Sequence, residues 1–374
     1  MLDFVPIEYY KVILYATLFT ICLFTSLYYQ SGPGCEKLMR KNTIILPFFL
    51  TILMILYIGL RESSWYFWDM MLYKHLWNFI DASTYEIQFD LRSEWFFMTI
   101  IVLCKIAVND AQFFFFIAAL IYVGCHFWVC KRLLWENVWL AVLFVFFSFQ
   151  FYAYATNGIR NGLAAAIMLL AISFFSKRNT MGYLWGFILF ILAFGCHRSI
   201  IVPMMALMIS LFVFKDIKYS VMIWLSCIVI SLFVGNSFMN FLSGIGFDDR
   251  MASYASSMER ESTRAMFSHT GFRWDFLLYS AMPVWIAWYV RYKGVYDRTF
   301  YLIANTYILA NSFWILLIRV SYTNRFAYLS WFLYALVIAY AVIRLPVWKN
   351  QDRVAGQILL AHSFFTIFMF IIGK

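Results

Sequence analysis

The sequence predicts an all-α membrane protein: a polytopic helical bundle of about twelve crossings plus one re-entrant or interfacial helix, with an outward-facing cavity. Three observations carry this. Hydrophobic residues make up 64% of the 374-residue chain, and the mean hydropathy is +0.76. The apolar residues form continuous runs, not the ten-residue alternating strands of a barrel. Backbone polar groups in lipid need partners within the segment, so such runs form helices. No composition break divides the chain, which reads as a single transmembrane domain, 1–374.

The runs fall near 9–29, 44–60, 94–108, 111–130, 138–155, 160–176, 183–196, 199–214, 220–241, 276–291, 299–318, 326–344 and 355–372. A crossing needs about 20 apolar residues, so 183–196 and 199–214 need flanking residues or a thinned bilayer. The first run is too long for a signal peptide, and Asp3 and Glu8 stand where basic residues would precede one, so no cleavable leader is expected. The seven cysteines lie mostly inside apolar runs without ligand spacing and read as buried thiols.

Charge orients the helices. The connections 31–43, 131–137, 177–180, 215–219, 291–298 and 344–353 hold 15 of the 29 basic residues, which places them in the cytoplasm. The net charge of +10 therefore reads as orientation, with no nucleic-acid partner. The alternate connections 61–93, 156–160, 197–198, 242–275 and 319–325 then face out. This parity holds if 94–108, short and carrying Lys105, enters and leaves on the outer side. A hidden crossing around Trp65–Ile80 is the alternative. Within the outer connection 61–93, Trp68, Met71, Leu72, Leu76 and Phe79 recur at helical spacing, predicting an amphipathic helix on the membrane surface. The other long outer connection, 242–275, mixes charge with Ser and Thr and reads as a lid or short helix.

Arg160, Arg198, Arg273, Arg319 and Arg325 all fall at outer breaks between apolar runs. Arginine within a membrane costs roughly 2.5–3.5 kcal/mol on insertion scales, so it persists where a cavity, surface or anion compensates. Five on one side describe a site for a large anion, against the alternative of interfacial anchors reaching headgroups.

Four motifs add a resemblance. Asn157-Gly158-Ile159-Arg160, Cys196-His197-Arg198-Ser199, Gly271-Phe272-Arg273-Trp274-Asp275-Phe276 and Thr323-Asn324-Arg325-Phe326-Ala327-Tyr328 resemble, in order and spacing, segments of the EpsG family of polysaccharide polymerases. One element departs from the family. Its early Arg, then Gly-x-Asp-x-x-x-Tyr, corresponds here to Arg61, Asp69 and Tyr73, with Phe67 at the glycine position.

The resemblance implies a Wzy-type polymerase of O-antigen or a related surface polysaccharide, at the outer face of the bacterial inner membrane. Such an enzyme transfers a growing glycan from undecaprenyl pyrophosphate to a hydroxyl of a new lipid-linked repeat unit. It implies no nucleotide sugar, no metal and no other cofactor, and a polysaccharide co-polymerase as partner. The departing diphosphate calls for fixed cations with planar, bidentate donors. Arg160, Arg273 and Arg325 are the first candidates, followed by Arg198, Arg319 and Arg61. The acceptor hydroxyl needs a base, for which His197 is the candidate, with Asp275 and Asp69 as rivals that alternatively orient an arginine. Asn157, Tyr322 and Tyr328 offer amide and aromatic contacts for sugars. His75, His126, His269 and His362 read as solvated or structural. A metal-dependent lipid-sugar transferase, an O-antigen ligase and a lipid-oligosaccharide flippase are the rival readings; the first needs an acidic pair in an early outer loop, and the only adjacent pair, Asp248-Asp249, comes late.

Overall fold

The structure, a computed structural model, describes residues 5–31, 44–83, 85, 93–245, 271–320 and 323–372, without the side chains of 234–245 and 372. Every regular element among the described residues is helical. The chain forms two compact units, Met1–Ile200 with Ile338–Lys374, and Ile201–Val337.

The first unit holds α1 (Ile7–Gln30), α2 (Ile45–Gly59), α3 (Trp68–Phe79), α4 (Trp95–Ala107), α5 (Ala111–Leu133), α6 (Val138–Phe146), α7 (Phe149–Thr156), α8 (Ile159–Phe175) and α9 (Thr180–Cys196). The final helix, α16 (Gln351–Ile372), returns to pack on α1. The close pairs are α8 with α9 and α5, and α2 with α5. At the last of these a Cβ on Gly59 would lie 3.0 Å from the Phe116 backbone, so the missing side chain admits the contact. The second unit holds α10 (Ile201–Phe212), α11 (Ile217–Ile245), α12 (Trp274–Tyr292), α13 (Arg298–Leu316) and α14 (Thr323–Trp331). There α13 is central, packing against α10, α11, α12 and α14. The chain leaves this unit within α15 (Tyr334–Arg344).

Among the described residues four helical stretches are long and apolar enough to cross a bilayer: Ile7–Gln30, Ala111–Leu133, Thr323–Arg344 and Gln351–Ile371. A bent pair, Trp135–Phe146 with Phe149–Thr156, would make five. Further apolar helices of 10–17 residues, such as α2 and α9, are at or below the short end of the spanning range. The all-helical membrane architecture thus stands, with four or five spans identified where the charge pattern predicts about twelve crossings.

The run 138–155 breaks where one helix was expected. The chain turns by 68° between α6 and α7. Ser148 adopts extended backbone there (ψ 147°), its hydroxyl donating to the Val145 carbonyl at 2.7 Å. The amphipathic helix in 61–93 is present as α3, with Met70 and Trp77 buried and Trp68, Leu72 and Phe79 exposed. The run 94–108 is the short helix α4. Its Lys105 donates to the carbonyls of Trp77 (2.6 Å) and Ile80 (2.7 Å), closing the C-terminal end of α3. Cations are favoured there because the last carbonyls of a helix lack partners. Most of the lid expected in 242–275 lies outside the described residues, as do His269 and Asp248-Asp249.

Connections of like charge character meet in each unit. In the first, Arg344 donates to the Leu133 carbonyl at 2.9 Å and lies 3.5 Å from Glu136, joining two basic connections. In the second, Arg291 holds Asp216 through two hydrogen bonds, of 2.6 and 3.0 Å, again joining basic connections. The arginine-bearing breaks at 160 and 197 likewise meet one another, through a residue from a third segment.

Candidate functional site

That residue is Glu94. It occupies the N-cap position of α4 but makes no capping hydrogen bond to its own helix. Its carboxylate instead accepts from Arg160 Nη1 through Oε2 and meets His197 Nδ1 through Oε1. The carboxylate is thus shared between two side chains 66 and 103 residues away in sequence.

Local structure presents each partner. Arg160 lies in the first turn of α8, which begins at a tight corner after α7. Gly162 makes that corner possible, because a Cβ there would stand 2.6 Å from the Tyr154 carbonyl oxygen. His197 ends α9 in extended backbone (φ −160°, ψ 126°), and a 3-10 turn, Arg198–Ile200, follows. The extended residue swings the imidazole off the helix axis. Two residues earlier, Gly195 lets α9 approach α4: a Cβ would fall 2.6 Å from the Trp95 ring, next to Glu94 in the chain.

The cluster is enclosed but reachable. The side chains of Glu94 and His197 are each 19% exposed, and that of Arg160 is 26% exposed. Burial alone pushes the Glu94 carboxyl up, but the His197 hydrogen bond and the Arg160 charge outweigh it and hold the carboxyl below its ordinary 4.5. An ionised carboxylate only accepts, so His197 Nδ1 is the N–H donor, and in the neutral ring Nε2 is then the acceptor nitrogen. Nε2 has no hydrogen bond among the described residues. Arg160 Nε is buried, also without a partner among them. Asp69 and Tyr73, from α3, lie within electrostatic reach of Arg160, and Asp69 within reach of Arg61 as well.

Of the candidates read from sequence, Arg160 and His197 come together, with Asp69 within electrostatic reach of Arg160. Glu94, which joins two of them, was missed. Its only sequence signal is an acidic residue at the start of a short apolar run, beside outer-facing connections. Arg198 and Asn157 are exposed on adjoining turns. Arg61 is 1% exposed, donating to the Ile58 carbonyl and lying over the rings of Phe67 and Phe115 at 5.2 and 5.9 Å. It borders a small internal cavity lined by Tyr122, Tyr154 and Leu163.

In the second unit Arg273 and Asp275 form a bidentate pair, with Nε to Oδ1 at 2.9 Å and Nη2 to Oδ2 at 2.5 Å. The guanidinium also stacks on Phe276 at 3.7 Å. Both Asp275 oxygens are thus engaged by an arginine in this structure. Arg319 donates to the Leu232 carbonyl at 3.1 Å and lies 5.8 Å from the Phe272 ring. Arg325 is exposed in the first turn of α14, and Tyr328, one turn on, packs against Trp331 at 5.6 Å. Tyr322 lies outside the described residues. Of the other histidines, His126 and His362 are buried against the carbonyls of Tyr122 (2.7 Å) and Phe144 (3.1 Å), while His75 is exposed beside Phe79. Among the described residues no three His, Cys, Asp or Glu side chains gather as a cation site.

Fold and site together define a helical membrane protein with a partly enclosed arginine–glutamate–histidine cluster. The EpsG family matches residues 44–374, and the chain belongs to that family. Membership points to a polysaccharide polymerase-type role and to glycosyltransferase-like chemistry. No curated protein and no solved structure matches the chain.

Proposed function

We propose that the protein polymerises lipid-linked polysaccharide repeat units at the periplasmic face of the bacterial inner membrane. The growing glycan leaves undecaprenyl pyrophosphate and joins a hydroxyl of a new undecaprenyl-pyrophosphate-linked repeat unit. The observation carrying this reading is the pairing of a fixed cation and an imidazole in one cluster, Arg160 and His197 linked through Glu94. A diphosphate leaving group needs the first, and an acceptor hydroxyl the second.

In this reading Arg160 stabilises the charge that develops on the diphosphate. His197 Nε2 takes the acceptor proton while the acceptor oxygen bonds the anomeric carbon. The bond from that carbon to the diphosphate oxygen breaks, its electron pair leaving with undecaprenyl diphosphate. Arg273, Arg319, Arg325 and Arg198 are further candidates for phosphate contact, and Asn157, Tyr322 and Tyr328 for sugars. A polysaccharide co-polymerase is the proposed partner for chain-length control.

Arg160→Ala and His197→Ala test it in cells that depend on this chain. Each is expected to lose long-chain polymer while single repeat units still reach the surface and membrane protein levels stay normal. Wild-type polymer in both variants would refute the assignment, and loss of the single units as well would identify a flippase.

A further inference from the structure

We infer that Glu94 is a positioning residue that couples donor binding to activation of the base, a refinement that rests on the polymerase reading. One carboxylate serves two partners that the reaction uses separately. Oε1 holds the His197 Nδ1–H, which leaves Nε2 basic. Oε2 occupies Arg160 Nη1, one of the donors a diphosphate would need. The pairing with Arg160 is therefore a resting contact that the donor competes with.

When the donor diphosphate arrives, its oxygens take over Arg160 and the carboxylate loses that cation. Its full charge then falls on the imidazole, which makes Nε2 a stronger proton acceptor because the imidazolium it becomes is better stabilised. The acceptor proton moves to Nε2, the glycosidic bond forms, and the electron pair of the broken bond leaves on the diphosphate. Departure of undecaprenyl diphosphate lets Arg160 return to Glu94, and the proton passes to solvent. A base enhanced only beside a bound donor suits an enzyme whose acceptor hydroxyls compete with water. Among the described residues Tyr73 and Asp69, both on α3, also lie within electrostatic reach of Arg160, and Asp69 partly compensates the cation in either state.

The neutral isostere separates this coupling from simple packing. Glu94→Gln keeps the shape, frees Arg160 from a competing charge, and offers His197 an amide that no longer selects the Nε2-basic tautomer. Full-length protein in nanodiscs would be titrated with undecaprenyl diphosphate, and turnover followed with lipid-linked repeat units extracted from the producing membrane. Glu94→Gln is expected to bind undecaprenyl diphosphate several-fold more tightly while kcat falls about a hundredfold, the low end for loss of general-base assistance. Glu94→Asp retains the charge and is expected to recover much of kcat with intermediate affinity. It also serves as the folded reference if the glutamine variant does not accumulate. Equal or weaker diphosphate binding in Glu94→Gln, or no recovery in a folded Glu94→Asp, overturns the coupling. A wild-type protein that neither binds undecaprenyl diphosphate nor extends repeat units overturns the polymerase reading itself.

Discussion

Glu94 and His197 meet carboxylate to imidazole across 103 residues of sequence, and the same carboxylate holds Arg160. Two helix starts, of α4 and α8, and one helix end, of α9, meet at this point. Glu94 gives up the capping of α4 to do so. Side-chain oxygens at N-caps ordinarily accept from the first-turn N–H groups, so the departure marks a tertiary demand stronger than the local one.

The first consequence is a pH signature. The Glu94 carboxyl is held below its ordinary value of 4.5 in the folded protein. A depressed carboxyl contributes stability above its unfolded pKa, and the contribution disappears as pH falls through the folded pKa. The melting-temperature advantage of wild type over Glu94→Gln is expected to be complete above pH 4.5 and to shrink in more acid solution. An advantage that persists undiminished in acid would mean the pairing does not use an ionised carboxylate.

Gly195 controls the approach of α9 to the start of α4. In Gly195→Ala the new methyl group would stand 2.6 Å from the Trp95 ring, so ring or helix must shift. Overpacking of this kind costs typically ~1–3 kcal/mol. The variant is expected to insert normally but melt earlier, and to lose polymerisation out of proportion because Glu94 adjoins Trp95. Retention of both wild-type properties would show that the contact is not needed.

Lys105 ties α4 to the end of α3, which carries Asp69 and Tyr73. Lys105→Met keeps the aliphatic stem but leaves the Trp77 and Ile80 carbonyls without their cation. A cost of about 1–2 kcal/mol is expected, the range for a partly buried charge at a helix C-terminus. Proteolysis or hydrogen exchange should show α3 opening first. Uniform protection across the unit would argue that the lysine is incidental.

Arg273 and Asp275 offer a test of roles in the second unit. Their bidentate contact leaves the carboxylate engaged and the guanidinium oriented. If Asp275 positions Arg273, Asp275→Asn is expected to retain a measurable fraction of polymer synthesis while Arg273→Ala loses it. The reverse order, with Asp275→Asn inactive and Arg273→Ala active, would make Asp275 the base in place of His197. Polymer length profiles from complemented cells distinguish the two.

Much of this was legible before the fold. Membrane helices announce themselves as long apolar runs, and charge at their ends groups the connections. The meetings of Arg344 with Glu136 and of Arg291 with Asp216 follow that grouping. Arg160 and His197 stood out because a charged or titratable residue at a break in such a chain needs a reason. Glu94 did not stand out. As one acidic residue at the edge of a short run, it has a meaning only when α4, α8 and α9 converge.

The broken helix at Ser148 was hidden for a related cause. Apolar composition alone predicts continuity through 138–155, yet the chain turns by 68° there, ahead of the helix that carries Arg160. Membrane class, helical character and family could be read from the residues alone, because burial in lipid constrains every segment separately. Tertiary structure decided which carboxylate joins which cation and which nitrogen of His197 is basic. Those outcomes depend on distances between segments far apart in the chain, and local composition carries no record of them.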